Sequence, residues 1–275
     1  MTTLSLDPAG PDLAAAPTPP AQRPFGLIRH SLALSRRTLL VMRRTPEQFF
    51  DVTVQPIIFV VLFVYLFGGA VAGSQHAYLQ YVLPALMVQT VMFASMTIGV
   101  NLNADVKKGV FDRLRSLPIA RSAPLIGAVL GDVVRYLISI VVILAFGIAI
   151  GFRIQTGPAQ AVVACLLLLG FALCLCWISV LFGLLLREPG AVQGVSFLVM
   201  FPLTFGSNMF VPVGTLPGWL RGWVDINPVS HVVSAMRGLL VGGPVTGPVL
   251  WSVASGLAIL AVFFPLAVQV YRRRT

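Results

Sequence analysis

The chain is 275 residues long, 57% hydrophobic and only 10% charged, with a formal net charge of +10 and a mean hydropathy of +0.91. That hydropathy excludes a water-soluble globular domain, since apolar runs recur over most of the length and one bilayer crossing takes roughly 20 residues. The positive charge is not gathered into the free-standing basic domain that nucleic-acid recognition needs, so no nucleic-acid partner is expected.

Residues 1–24, MTTLSLDPAGPDLAAAPTPPAQRP, contain six prolines and no apolar core. They lack the regions of a secretory leader and read as a disordered cytoplasmic tail. In residues 25–50, Phe25, Ile28, Leu32, Leu39 and Leu40 interleave with Arg29, Arg36, Arg37, Arg43 and Arg44. This pattern predicts an amphipathic interfacial helix, although a solvated cationic lead-in has the same composition. A transmembrane domain over 51–271 follows, its six helices expected near 51–72, 82–101, 124–151, 158–186, 190–211 and 249–271. Residues 272–275 form a second short cytoplasmic tail. The fold class is all-α integral membrane protein. The third run exceeds what a bilayer requires, which places Asp132 and Arg135 at its aqueous end, three apart and able to pair. Cys165, Cys174 and Cys176 share one apolar run without a neighbouring His or carboxylate, so they read as packing residues and no metal site is expected.

Orientation follows from the Lys/Arg bias of short loops. With both termini on one side, that side holds sixteen of the nineteen basic residues, leaving only Arg153, Arg221 and Arg237 opposite. Both termini are therefore expected in the cytoplasm of a multi-pass protein of the cell (inner or plasma) membrane. Tyr78, Tyr81, Trp219 and Trp223 then fall near the outer interface.

The loop after the second span, KKGVFDRLRSLPIARS, concentrates charge around a narrow apolar stripe of Val110, Phe111, Leu114 and Leu117. Such a short helix docks in a groove on a soluble partner; it also suits a resting place on anionic headgroups. No G-x-x-x-x-G-K-[ST] phosphate loop is present, so nucleotide hydrolysis by that route is excluded. The middles of the spans hold almost no ionisable groups with which to bind a coupling ion. Energy for uphill transport must then arrive from outside the chain.

Three blocks together resemble the permease subunits of type-2 ABC exporters, closest to the daunorubicin/doxorubicin-resistance branch. They are NADVKKGVFDRLRSLPIARSAPLIGAVLGDVVR, FPLTFGSNMFVPVGTLPGWLRGWVDINPVSHVVSAMRGLL and the six-span order behind an amphipathic helix, covering about 25–271. The resemblance implies a coupling helix within 105–118. Val110, Phe111, Arg113, Leu114, Arg115 and Leu117 would seat on a separate cytoplasmic ATPase, with Arg187 and Glu188 as a minor second contact. It implies two ATPase copies, a second permease copy or a sister permease, and ATP with Mg on the ATPase rather than any cofactor on this chain. It also implies an outer re-entrant helical hairpin over 212–240.

A transport path for a bulky apolar cargo is expected along Phe59 and Phe63, Met92 and Met96, and Phe197, Phe201 and Phe205, where aromatic and thioether groups adapt to varied ligands. Ordinary span packing explains the same residues. Asn208, Trp219, Trp223, Asn227 and His231 mark an outer gate, with Pro202 bending the fifth span. The rival readings are a permease for a cell-envelope lipid or lipid-linked glycan, an ion-coupled or passive carrier, and an intramembrane enzyme. The last needs paired catalytic groups within the spans, whereas His30, His76 and His231 all lie near aqueous ends.

Overall fold

A computed structural model describes residues 46–109 and 123–274, which form helices joined by short connections, with no strand among the described residues. Expectations for 1–24, for most of 25–50, and for Val110, Phe111, Arg113, Leu114, Arg115 and Leu117 lie outside the described residues.

The helices are α1 Pro46–Ala72, α2 Gln75–Lys107, α3 Ala123–Ala149, α4 Pro158–Leu185, α5 Pro189–Phe205, α6 Gly218–Ile226, α7 Pro228–Leu240 and α8 Thr246–Arg274. Helices α1, α2, α3, α4 and α8 are long and apolar enough to cross a membrane. The expected fifth span is a shorter helix: α5 has 17 residues, about 25 Å against a hydrocarbon core of about 30 Å. It stops at Phe205 because Gly206 caps it, with the Gly206 amide donating to the Pro202 carbonyl at 2.9 Å.

Local chemistry sets the other helix ends. The Ser74 hydroxyl accepts the Ala77 amide at 3.1 Å and starts α2. Pro158 and Pro189 open α4 and α5 at the one helical position where a missing N–H costs nothing. Asn227 separates α6 from α7, its Oδ1 accepting the Val229 amide at 3.0 Å.

Helix α2 is the central strut. Its most apolar window is 78% buried, against 22% for α1 and 11% for α8, and it packs on α1, α3, α4, α5 and α7. Its crossing with α4 is close because both helices carry small residues there. A Cβ on Gly99 would strike the Ser179 carbonyl, and one on Gly183 would strike the Gly99 carbonyl. Just beyond, Asn103 donates to the Gly183 and Leu186 carbonyls at 2.9 and 2.7 Å, satisfying the otherwise open end of α4. Trp177 meets Phe264 edge to face, ring centroids 4.7 Å apart, and fastens α8 to the bundle. All three cysteines are free, and Cys176 is buried against the Leu173 carbonyl.

Since the long helices alternate in direction, one end of the bundle carries the 73–74, 150–157 and 206–245 connections. This is the hairpin end, named for α6 and α7. The other end carries Lys107 and the α4–α5 connection.

Candidate functional site

Helices α1, α2, α3 and α5 diverge around a cavity of about 780 Å³. Phe59, Phe93, Met96 and Phe197 line one part of it; Gln55, Gln89, Thr97, Arg135, Ser139 and Gln193 supply polar groups. Gly190 and Gly194 border it from α5, and an added Cβ at either would meet nothing within 4 Å. The void thus persists partly because two wall positions have no side chain.

Asp132 and Arg135 depart from expectation. They pair at 3.9 Å as expected, but each is 4% exposed. Arg135 stands twelve residues into α3, about 18 Å along its axis, and lines the cavity instead of an aqueous surface. Two charges can sit inside a span when each neutralises the other and one borders a polar void.

From the cavity an aromatic track climbs toward the hairpin end. Ring centroids run from Phe93 to Phe197 at 6.3 Å, Phe197 to Phe201 at 5.3 Å and Phe201 to Phe205 at 4.4 Å. The track continues to Phe210 at 5.2 Å and to Phe63 of α1 at 4.5 Å, where Phe59 and Phe67 flank it at 6.1 and 5.5 Å. Phe197, Phe201 and Phe205 remain 48%, 43% and 41% exposed, so the track forms an open face. Five of the seven residues singled out for the path stand on it. Met96 lines the cavity below, whereas Met92 is buried, its sulfur facing the Thr204 hydroxyl at 3.9 Å. Phe93 and Phe210 escaped the sequence reading because each joins the track across helices rather than by spacing along one.

At the hairpin end the arrangement centres on Arg237, which the sequence alone presents only as a loop charge. From α7 its Nε donates to the Tyr81 carbonyl at 2.9 Å and its Nη2 to the Met209 carbonyl at 2.7 Å. Its guanidinium also lies over the Tyr81 ring. The Tyr81 hydroxyl donates to the Asn208 carbonyl at 2.9 Å, and the Asn208 amide to Ser234 at 2.8 Å. Asn227 donates to the Leu203 and Gly206 carbonyls at 2.8 and 3.1 Å, tying the hairpin to the end of α5. His231 contacts the Asp225 carbonyl at 3.0 Å and stacks on Trp251. Trp223 packs beside Gly206, while Trp219 is 78% exposed. An isolated arginine in the apolar stretch VSHVVSAMRGLL was the available signal for this cluster.

At the opposite end, Lys107 and Glu188 form an ion pair at 2.6 Å. It brings the exit of α2 against the α4–α5 connection, where Arg187 and Glu188 are both exposed. Among the described residues no cluster of His, Cys, Asp and Glu has the makings of a metal site.

Among the described residues, apolar helices surround an amphipathic cavity, with charges at the ends and in one buried pair, an arrangement that suits a membrane transport protein. The sequence gives that class a family: residues 29–241 match the ABC-2 type transporter family, and the chain belongs to it. Among its relatives is the daunorubicin resistance ABC transporter permease protein DrrB1 of Streptomyces coeruleorubidus, 40% identical over 238 residues, covering 86% of this chain and 84% of that one. Another is the doxorubicin resistance ABC transporter permease protein DrrB of Mycobacterium tuberculosis (strain H37Rv), 31% identical over 224 residues, 75% of this chain and 78% of that one. The chain is a multi-pass permease, a transport component and not an enzyme.

Proposed function

We propose that the chain is the transmembrane subunit of an ATP-driven exporter that carries an amphipathic or hydrophobic cargo, a drug-like natural product or a lipid, outward from the cytoplasm or inner leaflet. The observation that carries this reading is the junction of the cavity with the aromatic track: a void with polar groups opens onto a ladder of phenylalanines. Polar groups hold the hydrophilic part of an amphiphile, and rings accept its body at each step without demanding one shape. The drug names borne by the relatives support the same cargo class.

The positive-inside bias supports cytoplasmic termini and an external hairpin end. In this arrangement α5 with 206–212 is the fifth of six crossings, α6 and α7 re-enter the outer leaflet over 212–240, and 25–50 lies on the inner interface. Segment 105–118 is the coupling helix of the 51–271 permease domain. It seats on a separate ATPase, two copies to an assembly, which holds ATP and Mg. The exposed faces of Phe197, Phe201 and Phe205 then meet a second copy or a sister permease.

The test is a gentle-detergent pull-down of the tagged chain from its native membranes. A stoichiometric nucleotide-binding subunit that is lost on Leu114→Asp, with the chain still membrane-inserted, is the expected result. A chain that purifies alone overturns the reading.

A further inference from the structure

Gln89 is the most anomalous group in the cavity wall. It is 2% exposed, and among the described residues neither its Nε2 nor its Oε1 has a hydrogen-bond partner. A buried amide left unsatisfied on both atoms costs on the order of 1–3 kcal/mol. The other buried polar side chains on α2 each find at least one partner: Ser95 donates to the Met92 carbonyl and the Asn103 Nδ2 to two carbonyls of α4, although the Asn103 Oδ1 has none among the described residues. Gln89 therefore does not serve the fold as they do. What it borders is the cavity, together with Phe93 one turn along α2 and Phe59 and Phe197 on the facing helices.

We propose that Gln89 is a specificity-determining residue of the cavity, its amide reading a hydrogen-bonding edge on a cargo whose aromatic body lies against Phe59, Phe93 and Phe197. A carboxamide offers one donor beside one acceptor. Its complement is a group of the same pattern reversed, a lactam N–H beside its own C=O, set on a planar ring system. Presenting the amide takes a turn of its terminal torsion into the void, a soft motion for Gln. Arg135 on the same cavity adds donor character, and Asp132 beside it offsets the net charge, which favours a neutral acceptor-bearing edge over a bare cation. A site built to hydrogen-bond its ligand discriminates far more strongly than an apolar one, because the wrong ligand leaves buried polar atoms unpaired. This inference rests on the cavity being the cargo site.

The experiment uses the full-length chain in lipid nanodiscs, with equilibrium dialysis against the planar lactam phenanthridin-6(5H)-one and against phenanthrene, and with binding to empty nanodiscs subtracted. Wild type is expected to prefer the lactam by about tenfold, the size of one good hydrogen bond. Gln89→Leu is expected to erase the preference while leaving the thermal midpoint unchanged or raised, since an unsatisfied amide is replaced by an apolar group. A lowered midpoint in Gln89→Leu assigns the residue a structural role and overturns the proposal. Ala94→Trp fills the cavity and separates the two ideas. If it abolishes binding of both probes while Gln89→Leu leaves their ratio intact, the cavity stands as the cargo site and the role of Gln89 falls. If the chain binds neither probe, or if Ala94→Trp affects neither, both fall.

Discussion

The guanidinium of Arg237 lies 3.6 Å from the centroid of the Tyr81 ring, and the same side chain donates to the carbonyl of that residue at 2.9 Å. One arginine thus grips the first turns of α2 by face and by backbone, and grips the end of the 206–212 segment through Met209. The hairpin is latched to the bundle at this point.

Removing the latch while keeping a polar side chain tests its weight. Arg237→Gln is expected to cost about 2–3 kcal/mol, the loss of two charge-assisted hydrogen bonds and a cation–π contact. Thermal unfolding in detergent measures the cost. Hydrogen exchange is expected to rise selectively across 228–240, and a uniform rise over the whole bundle would argue against a local latch.

The crossing of α2 and α4 predicts an asymmetry among glycines. Gly99→Ala drives a methyl into the Ser179 carbonyl and is expected to destabilise by about 1–3 kcal/mol or more. Gly194→Ala meets no atom and is expected to leave the melting temperature in place, while Gly194→Leu narrows the cavity and slows efflux of bulky cargo. Equal stability losses at Gly99 and Gly194 would sink this packing account.

The ion pair of Lys107 and Glu188 is 44% and 68% exposed on its two sides, so its contribution to stability is at most about 1 kcal/mol. Lys107→Glu is expected to leave thermal stability nearly unchanged yet reduce cargo-stimulated ATP hydrolysis by the assembled transporter, and Glu188→Lys in the same chain is expected to restore it. A double reversal that rescues nothing would mean that the pair does not couple the exit of α2 to the α4–α5 connection.

On the aromatic track, Phe201 stacks with Phe205 at 4.4 Å while remaining 43% exposed. Phe201→Ala is expected to reduce export severalfold, because each contact between its ring and an aromatic cargo is worth about 0.5–1.5 kcal/mol, and to cost folding stability a similar amount through its lost stacking on Phe197 and Phe205. Efflux assays paired with melting curves separate the two effects; a melting loss without an efflux loss makes the track a packing seam.

The sequence exposed the helices more readily than the site. Apolar runs placed α1, α3, α4 and α8 within a few residues, since a bilayer imposes one length on all of them. Helix α2 runs longer than its apolar window at both ends: Ser74 caps it early, and Asn103 keeps its far turns bound to α4. The fifth run ends sooner than its hydropathy implies, at Gly206. The general habit of charges points Asp132 and Arg135 to water, and only the packing of α3 makes them a buried pair. Arg237 and Gln89 were legible as residue types but not as roles, because each acquires its meaning from other helices: Arg237 by finding partners there, Gln89 by finding none among the described residues.

The 33 residues of α2 make a rod about 50 Å long, and the Gly99–Gly183 contact acts on it as a fulcrum. Gly99 stands eight residues from Lys107, about 12 Å, and eighteen from Tyr81, about 27 Å. A rocking motion about that crossing moves the Tyr81 end roughly twice as far as the Lys107 end. A small push at the Lys107 end would therefore arrive enlarged where Arg237 holds the hairpin, a mechanical advantage present in the unequal arms of a single helix.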